Sequence, residues 1–184
     1  MSDLTTLASV KQWLNLASGS TSDDALLSAL ITAYSEYIQT YINREFASAT
    51  YSDNWDGSGG SFMLFPNYPV TAVSSLSIDD ISIPFVTNTT DSGYRFDKNR
   101  IWLNNYLFNS GMGNIAVTYT AGYASVPPEI ARATVELVGL RYREKDRIGM
   151  SSKTLAGEIT AFITKDFPDS VKTILNNYRK VAPF

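Results

Sequence analysis

The side chains in this 184-residue sequence whose spacing could support chemistry are acid pairs: Asp23 with Asp24, Asp53 with Asp56, Asp79 with Asp80, and Asp166 with Asp169. Two carboxyl groups that converge in a cleft can act as acid and base, or as acid and nucleophile, on a glycosidic bond. Each pair also has a simpler role. Asp23, Asp24 and Asp166 stand where helix N-termini favour negative charge, and the others stand at turns. The sequence holds neither histidine nor cysteine, which excludes Ser-His-Asp and Cys-His sites, thiolate zinc ligands and a disulfide framework. An acid-pair hydrolase remains as the catalytic alternative.

Three further stretches invite a functional reading. Asp53-Asn54-Trp55-Asp56-Gly57-Ser58-Gly59-Gly60 mixes oxygen ligands with glycine. It lacks the closing glutamate of an EF-hand and the Gly-Lys-Ser/Thr ending of a phosphate loop, so a glycine-rich hairpin or loop is expected and no metal or cofactor. Trp55, Trp102 and Tyr106 could stack on sugars, which makes a carbohydrate-binding β module using exposed aromatics the alternative from a different class. The charged run Arg141 to Arg147 ends a helix with favourable basic charge, and Arg143 and Arg147 are also suited to an interface with an acidic surface.

The elements that position these residues follow from periodicity. Thr6 is placed to cap a short helix carrying Leu7, Val10, Trp13 and Leu14 on one face, which stops near Gly19. Ser22 or Asp23 caps a longer helix through Leu27, Ile31, Tyr34, Ile38 and Ile42. Between Thr50 and Thr120, turn-forming clusters separate runs of β-branched and aromatic residues. The expected strands are Ser61 to Phe65, Val70 to Ile78, Ile81 to Phe85, Tyr94 to Phe96, Arg100 to Leu103 and Ile115 to Thr120, with a tight turn at Asp79-Asp80. Helix returns after Ser125, with Pro127 and Pro128 in its first turn, and runs to about Asp146. Ile148 to Asp166 reads as an exposed arm with a hairpin around Ala156-Gly157, followed by a terminal helix opened by Pro168.

The expected fold class is therefore α+β: an antiparallel helical bundle with a β-rich insertion between the second and third long helices, and a C-terminal arm ending in a helix. The expected organisation is a helical core over residues 1–49 and 121–147, the insertion over 50–120, and the arm and terminal helix over 148–184. Apolar residues make up 44% of the chain and charged residues 18%, enough to bury a core and unlike a disordered chain. No apolar run is long enough to span a bilayer, so no membrane partner is expected. The net charge of −3 supplies no general attraction to nucleic acid.

In the terminal helix, burying Phe167, Val171, Ile174, Leu175 and Tyr178 at best offsets the conformational entropy of ordering the segment. The helix needs a docking surface, either on its own core or on a neighbouring subunit or partner.

The order of these elements and several local phrases resemble the phage head-to-tail connector family, also called head-tail adaptors or head completion proteins. The phrases run through Leu7-Ala8-Ser9-Val10-Lys11-Gln12-Trp13-Leu14, Asp23-Asp24-Ala25-Leu26-Leu27, Tyr41-Ile42-Asn43-Arg44-Glu45-Phe46 and Tyr68-Pro69-Val70-Thr71-Ala72-Val73. The resemblance is strongest at Val117-Thr118-Tyr119-Thr120-Ala121-Gly122-Tyr123, at Val126-Pro127-Pro128-Glu129-Ile130 and at Tyr142-Arg143-Glu144-Lys145-Asp146-Arg147-Ile148-Gly149. None is a catalytic signature.

The resemblance implies a structural virion protein and not an enzyme. It would form a ring, expected to be twelvefold, that joins the capsid portal to a downstream connector or tail-completion protein at the capsid-tail junction. Assembly in the host cytoplasm is implied, with packaged DNA passing through the ring without sequence-specific binding. The arm after Arg147 would engage the portal. The interface candidates are Arg143, Arg147, Ile148, Phe162, Phe167, Val171, Ile174, Leu175 and Tyr178.

Overall fold

The computed structural model describes residues 2–145, 152–155, 158–161 and 167–180, with the backbone alone described for 152–155 and 158–161. The chain divides into two compact units, one of residues 1–46 with 125–184 and one of residues 47–124.

The first unit contains four helices among the described residues: α1 (Leu7–Leu14), α2 (Asp24–Ile42), α3 (Pro128–Glu144) and α4 (Asp169–Tyr178). The Thr6 hydroxyl caps α1 by accepting from the Ser9 amide at 3.3 Å, and Asn15 ends the helix in a left-handed conformation. Pro127 and Pro128 open α3 as the spacing predicts. Its first half is apolar nearly all round because α1, α2 and α4 all pack against it. Val10, Leu27, Ile31, Val135 and Val138 form the core among α1, α2 and α3.

The expected antiparallel helical bundle is not what forms. A bundle needs apolar stripes of matched length on its helices, and here only α2 and α3 are long, at 19 and 17 residues, against 8 for α1 and 10 for α4. At 1.5 Å per residue the short pair reach only about 12 and 15 Å. They cover the flanks of the long pair, and the rest of the architecture is antiparallel sheet.

The second unit holds two such sheets. One is four-stranded, in the order β1-β7-β3-β4, from β1 (Ala49–Gly57), β7 (Gly111–Ala121), β3 (Val70–Ile78) and β4 (Ile81–Ser82). The other is three-stranded, in the order β2-β6-β5, from β2 (Phe62–Leu64), β6 (Arg100–Asn104) and β5 (Gly93–Phe96). Alternation along β7 sends Ile115, Val117, Tyr119 and Ala121 inward, while Ala116, Thr118 and Thr120 face out. The inward residues of both sheets meet in one core with Phe65, Tyr94, Ile101, Leu103 and Phe108.

Asp79 and Asp80 have φ of 50° and 64° and turn β3 into β4, joining Ile78 opposite Ile81. Two successive positive φ values match the right-handed twist of a hairpin. The strand expected at Ile81 to Phe85 is only two residues long, with Phe85 making an isolated bridge to Tyr94. In the first unit, an antiparallel hairpin pairs β8 (Ser152–Leu155) with β9 (Glu158–Ala161), Leu155 opposite Glu158. Residues 156–157, where the hairpin turn was expected, lie outside the described residues.

Candidate functional site

Among the described residues the acid pairs do not converge. The Asp23 carboxylate accepts from the Tyr142 hydroxyl at 2.8 Å and lies 3.7 Å from the Lys145 ammonium. It thus ties the start of α2 to the end of α3 instead of capping its own helix. The Tyr142 hydrogen bond holds Asp23 below the usual carboxylate range, and the same bond pushes the Tyr142 phenol up. Asp24 turns to α1, where it pairs at 2.5 Å with the buried Lys11, whose ammonium also donates to the Ser20 carbonyl at 2.7 Å. Two adjacent carboxylates therefore serve as ties to two different helices.

Asp53 and Asp56 lie on β1, which runs through most of the stretch expected to be a hairpin or loop; only Ser58 to Ser61 form a turn. A strand alternates its side chains, so these residues cannot wrap around a cation as a loop would. Asp53 faces inward and accepts from the hydroxyl of the fully buried Tyr119 at 2.9 Å, and the same hydroxyl accepts from the Asn67 amide at 3.3 Å. Burial, reinforced by Asp53, pushes the Tyr119 phenol well above its usual range. Asp56 accepts from the Gly113 amide at 2.6 Å. Asp169 lies in the first turn of α4, and Asp166 is outside the described residues.

Trp55 and Trp102 do not share a surface. Trp55 packs edge-on against Phe65 and Tyr119 inside the β core. Trp102 lies on the opposite face of β6 from Ile101 and Leu103, with the Arg100 guanidinium 5.2 Å from its ring centre. A sugar-binding surface needs its rings exposed side by side, whereas Trp55 packs against the core and Trp102 lies on the outer face of β6.

The interface candidates divide into three groups. Phe167, Val171 and Leu175 are buried in the chain's own helical unit: Phe167 stacks on Tyr37 at 4.9 Å and touches Tyr41, and α4 lies against α2 and α3. Tyr178 packs edge-on with Phe46 and donates to Glu129, and Ser170 donates to Glu136 at 2.8 Å. Ile174 and Tyr178 are half-buried and Arg143 is exposed. Arg147, Ile148 and Phe162 lie outside the described residues. The terminal helix thus has a docking surface within its own chain.

Two exposed apolar surfaces in the β-rich unit escaped the sequence reading. The first is the tip where β1, β3, β4 and β7 end. There the Asn114 carboxamide accepts from the Gly57 amide and donates to Asp79 and to the Asn109 carbonyl, each at 3.0 Å, while Asn109 donates to Asp79 at 2.8 Å. These bonds hold Asp79 below the usual carboxylate range. A Cβ at Gly57 would collide with the Asn109 carbonyl, and Gly113 has φ of +61°, so glycine is required for the network to close. This locked frame carries Met112, Ile81 and Leu107 at 93%, 65% and 55% exposure.

The second surface is the outer face of β2-β6-β5. Phe62 stands opposite Trp102, which stands opposite Arg95, and Leu64 stands opposite Arg100. Phe62 and Leu64 are more than half exposed. Alternation in β2 was the available signal: Met63 points to the core, which leaves its two apolar neighbours outside.

Comparison with known proteins adds an identity to this geometry. No curated protein matches the sequence. Among solved structures, the fold is similar to a chain from the neck of an empty GTA particle computed with C6 symmetry. The TM-score is 0.58 at 20% identity, over 96% of this chain and 90% of that one. It is similar also to a chain in the neck of a native GTA particle computed with C12 symmetry, with TM-score 0.57 and 18% identity over 97% and 90% of the two chains. A chain of the native gene transfer agent virion matches with TM-score 0.57 and 19% identity over 96% and 90%. The profile of the family described as head completion protein matches residues 3–181, and the chain belongs to that family.

Proposed function

We propose that this protein is a structural virion component: a subunit of the ring that joins the capsid portal to the tail and extends the DNA channel. The observation that carries the reading is the family membership over residues 3–181. The likeness in fold to chains of particle necks computed with sixfold and twelvefold symmetry supports it. In this reading the protein works by docking, with no substrate turned over. Its partners are copies of itself in a twelvefold ring, the portal, and a downstream connector or tail-completion protein. DNA passes without base readout, in keeping with a net charge of −3.

The helical unit supplies the scaffold. Phe167, Val171 and Leu175 anchor α4 on it, so that the chain on both sides of the β8–β9 hairpin is held by a packed helix. The portal contact falls to Arg143 and to the segment with Arg147, Ile148 and Phe162. Negative-stain microscopy of the purified protein, alone and mixed with the portal from the same genome, tests the proposal. A ring seated coaxially on the portal is the expected result. A protein that neither forms rings nor binds the portal, in buffers where the portal itself is intact, overturns it.

A further inference from the structure

The β-rich unit is electrically lopsided. It holds six acidic residues (Asp53, Asp56, Asp79, Asp80, Asp91, Asp97) and three basic ones (Arg95, Lys98, Arg100), so the whole net charge of the chain, −3, resides in it. The charges are also unevenly placed: the tip is wholly acidic, whereas Arg95, Lys98 and Arg100 share the rest of the unit with Asp53, Asp91 and Asp97, the last 3.7 Å from Arg100. Asp56, Asp79 and Asp80 belong to the tip at one end of β3, where Ile78 turns to Ile81. The Lys98 carbonyl accepts from the Val70 amide at the other end of the same strand, and Arg100 follows two residues later. Nine residues of strand separate the ends by roughly 27 Å. Among the described residues neither Arg95 nor Lys98 has a carboxylate partner, and the Asp80 side chain has no hydrogen-bond donor.

Both the acidic tip and the face that bears Arg95 and Arg100 also carry apolar side chains. Met112, Ile81 and Leu107 project from the acidic tip, and Phe62, Leu64 and Trp102 cover the face that bears Arg95 and Arg100. Apolar surface held in solvent by a rigid frame marks an interaction site, and opposite charges beside it set which surface it meets. A tip meeting another tip would bring like charges together.

We propose that the acidic apolar tip of one copy docks on the outer face of β2-β6-β5 of a second copy, so that neighbours join head to tail through their β-rich units. A contact between two different patches of the same chain is heterologous, and heterologous contacts close into rings when the rotation between copies permits. The occupant of the face is thus a second copy of this chain. This inference deepens the ring reading and rests on it.

The absence of cysteine makes the contact directly testable with Met112→Cys and Leu64→Cys, both at exposed positions, in the full chain alone and bound to its portal. With a short bis-maleimide, the double variant is expected to give a ladder of covalent oligomers, and each single variant a monomer band. Equal mixing of the two single variants is expected to stop at the dimer. Rings visible by microscopy without a ladder overturn the contact while leaving the ring reading intact. Efficient dimers from Met112→Cys alone overturn it in favour of tip-to-tip pairing. A ladder without rings supports the contact and sinks the ring reading, and neither ladder nor rings sinks both.

Discussion

The helical unit and the tip of the β-rich unit handle their acidic residues in opposite ways. In the helical unit, Asp23 and Asp24 meet Lys145, Tyr142 and Lys11, so acids are spent on ties between helices. In the β-rich unit, Asp79 and Asp56 accept from neutral carboxamides and backbone amides, which satisfies their hydrogen bonds but leaves their charge uncompensated. A carboxylate held by neutral donors keeps its field, whereas one paired with a cation largely loses it at a distance. The helical unit therefore uses charge to fix itself, and the tip of the β-rich unit is left with charge to present.

Four perturbations would break or sharpen that contrast. The largest effect is expected from Leu175→Ala, which opens a cavity beneath α4 at a fully buried site. A loss of about 2 to 5 kcal/mol in denaturant unfolding is expected, with amide exchange faster in α4. Unchanged exchange in α4 would show that the helix is not held by its own core.

Next is Gly57→Ala, which forces the Asn109 carbonyl out of the tip network. A loss of about 1 to 3 kcal/mol is expected from overpacking, together with loss of the protected Gly57 amide in exchange experiments. Full protection in the variant would mean that the tip is not a locked frame. Tyr119→Phe leaves the Asp53 carboxylate and the Asn67 amide without their shared hydroxyl, and about 1 to 2 kcal/mol is expected. A neutral result by thermal unfolding would show that water replaces the hydroxyl.

The smallest effect is the acid dependence of Asp23. Its folded pKa is depressed below the ordinary 3.8, chiefly by the Tyr142 hydroxyl. The folded state therefore favours the charged form. Its contribution to stability is present above pH 3.8 and is lost as pH falls below that value through the folded pKa. Asp23→Asn is expected to flatten this part of the acid unfolding curve, and an unchanged slope below pH 4 would remove Asp23 from the account.

Much of the local structure was legible. The Thr6 cap, the proline start of α3, the Asp79-Asp80 turn and the limits of β3 all follow from chemistry within a few residues. β1 was not legible: Asp53, Asn54 and Asp56 are poor strand formers, and only pairing along β7, from Ala49 opposite Ala121 to Gly57 opposite Gly111, holds them extended. The bundle was a misreading of helix count as helix architecture. Residues 7–14 and 169–178 do form helices, but two short helices cannot match two long ones. The exposed tip and the outer face of β2-β6-β5 went unseen because apolar residues at strand ends read equally well as core.

What the sequence determined by itself was the alphabet of the chemistry and the local elements. The chain has no histidine or cysteine, and the placement of Asp23 and Asp24 at a helix start and of Asp79 and Asp80 in a turn follows from local chemistry. Only the tertiary structure decided which acid meets which partner: Asp23 is joined to Tyr142 across 119 positions, and Asp53 to Tyr119 across 66. Helix and strand signals act over a few residues, while hydrogen bonds of that span depend on how whole elements pack. The same packing decided which apolar residues of the β-rich unit were buried and which were left on its surface.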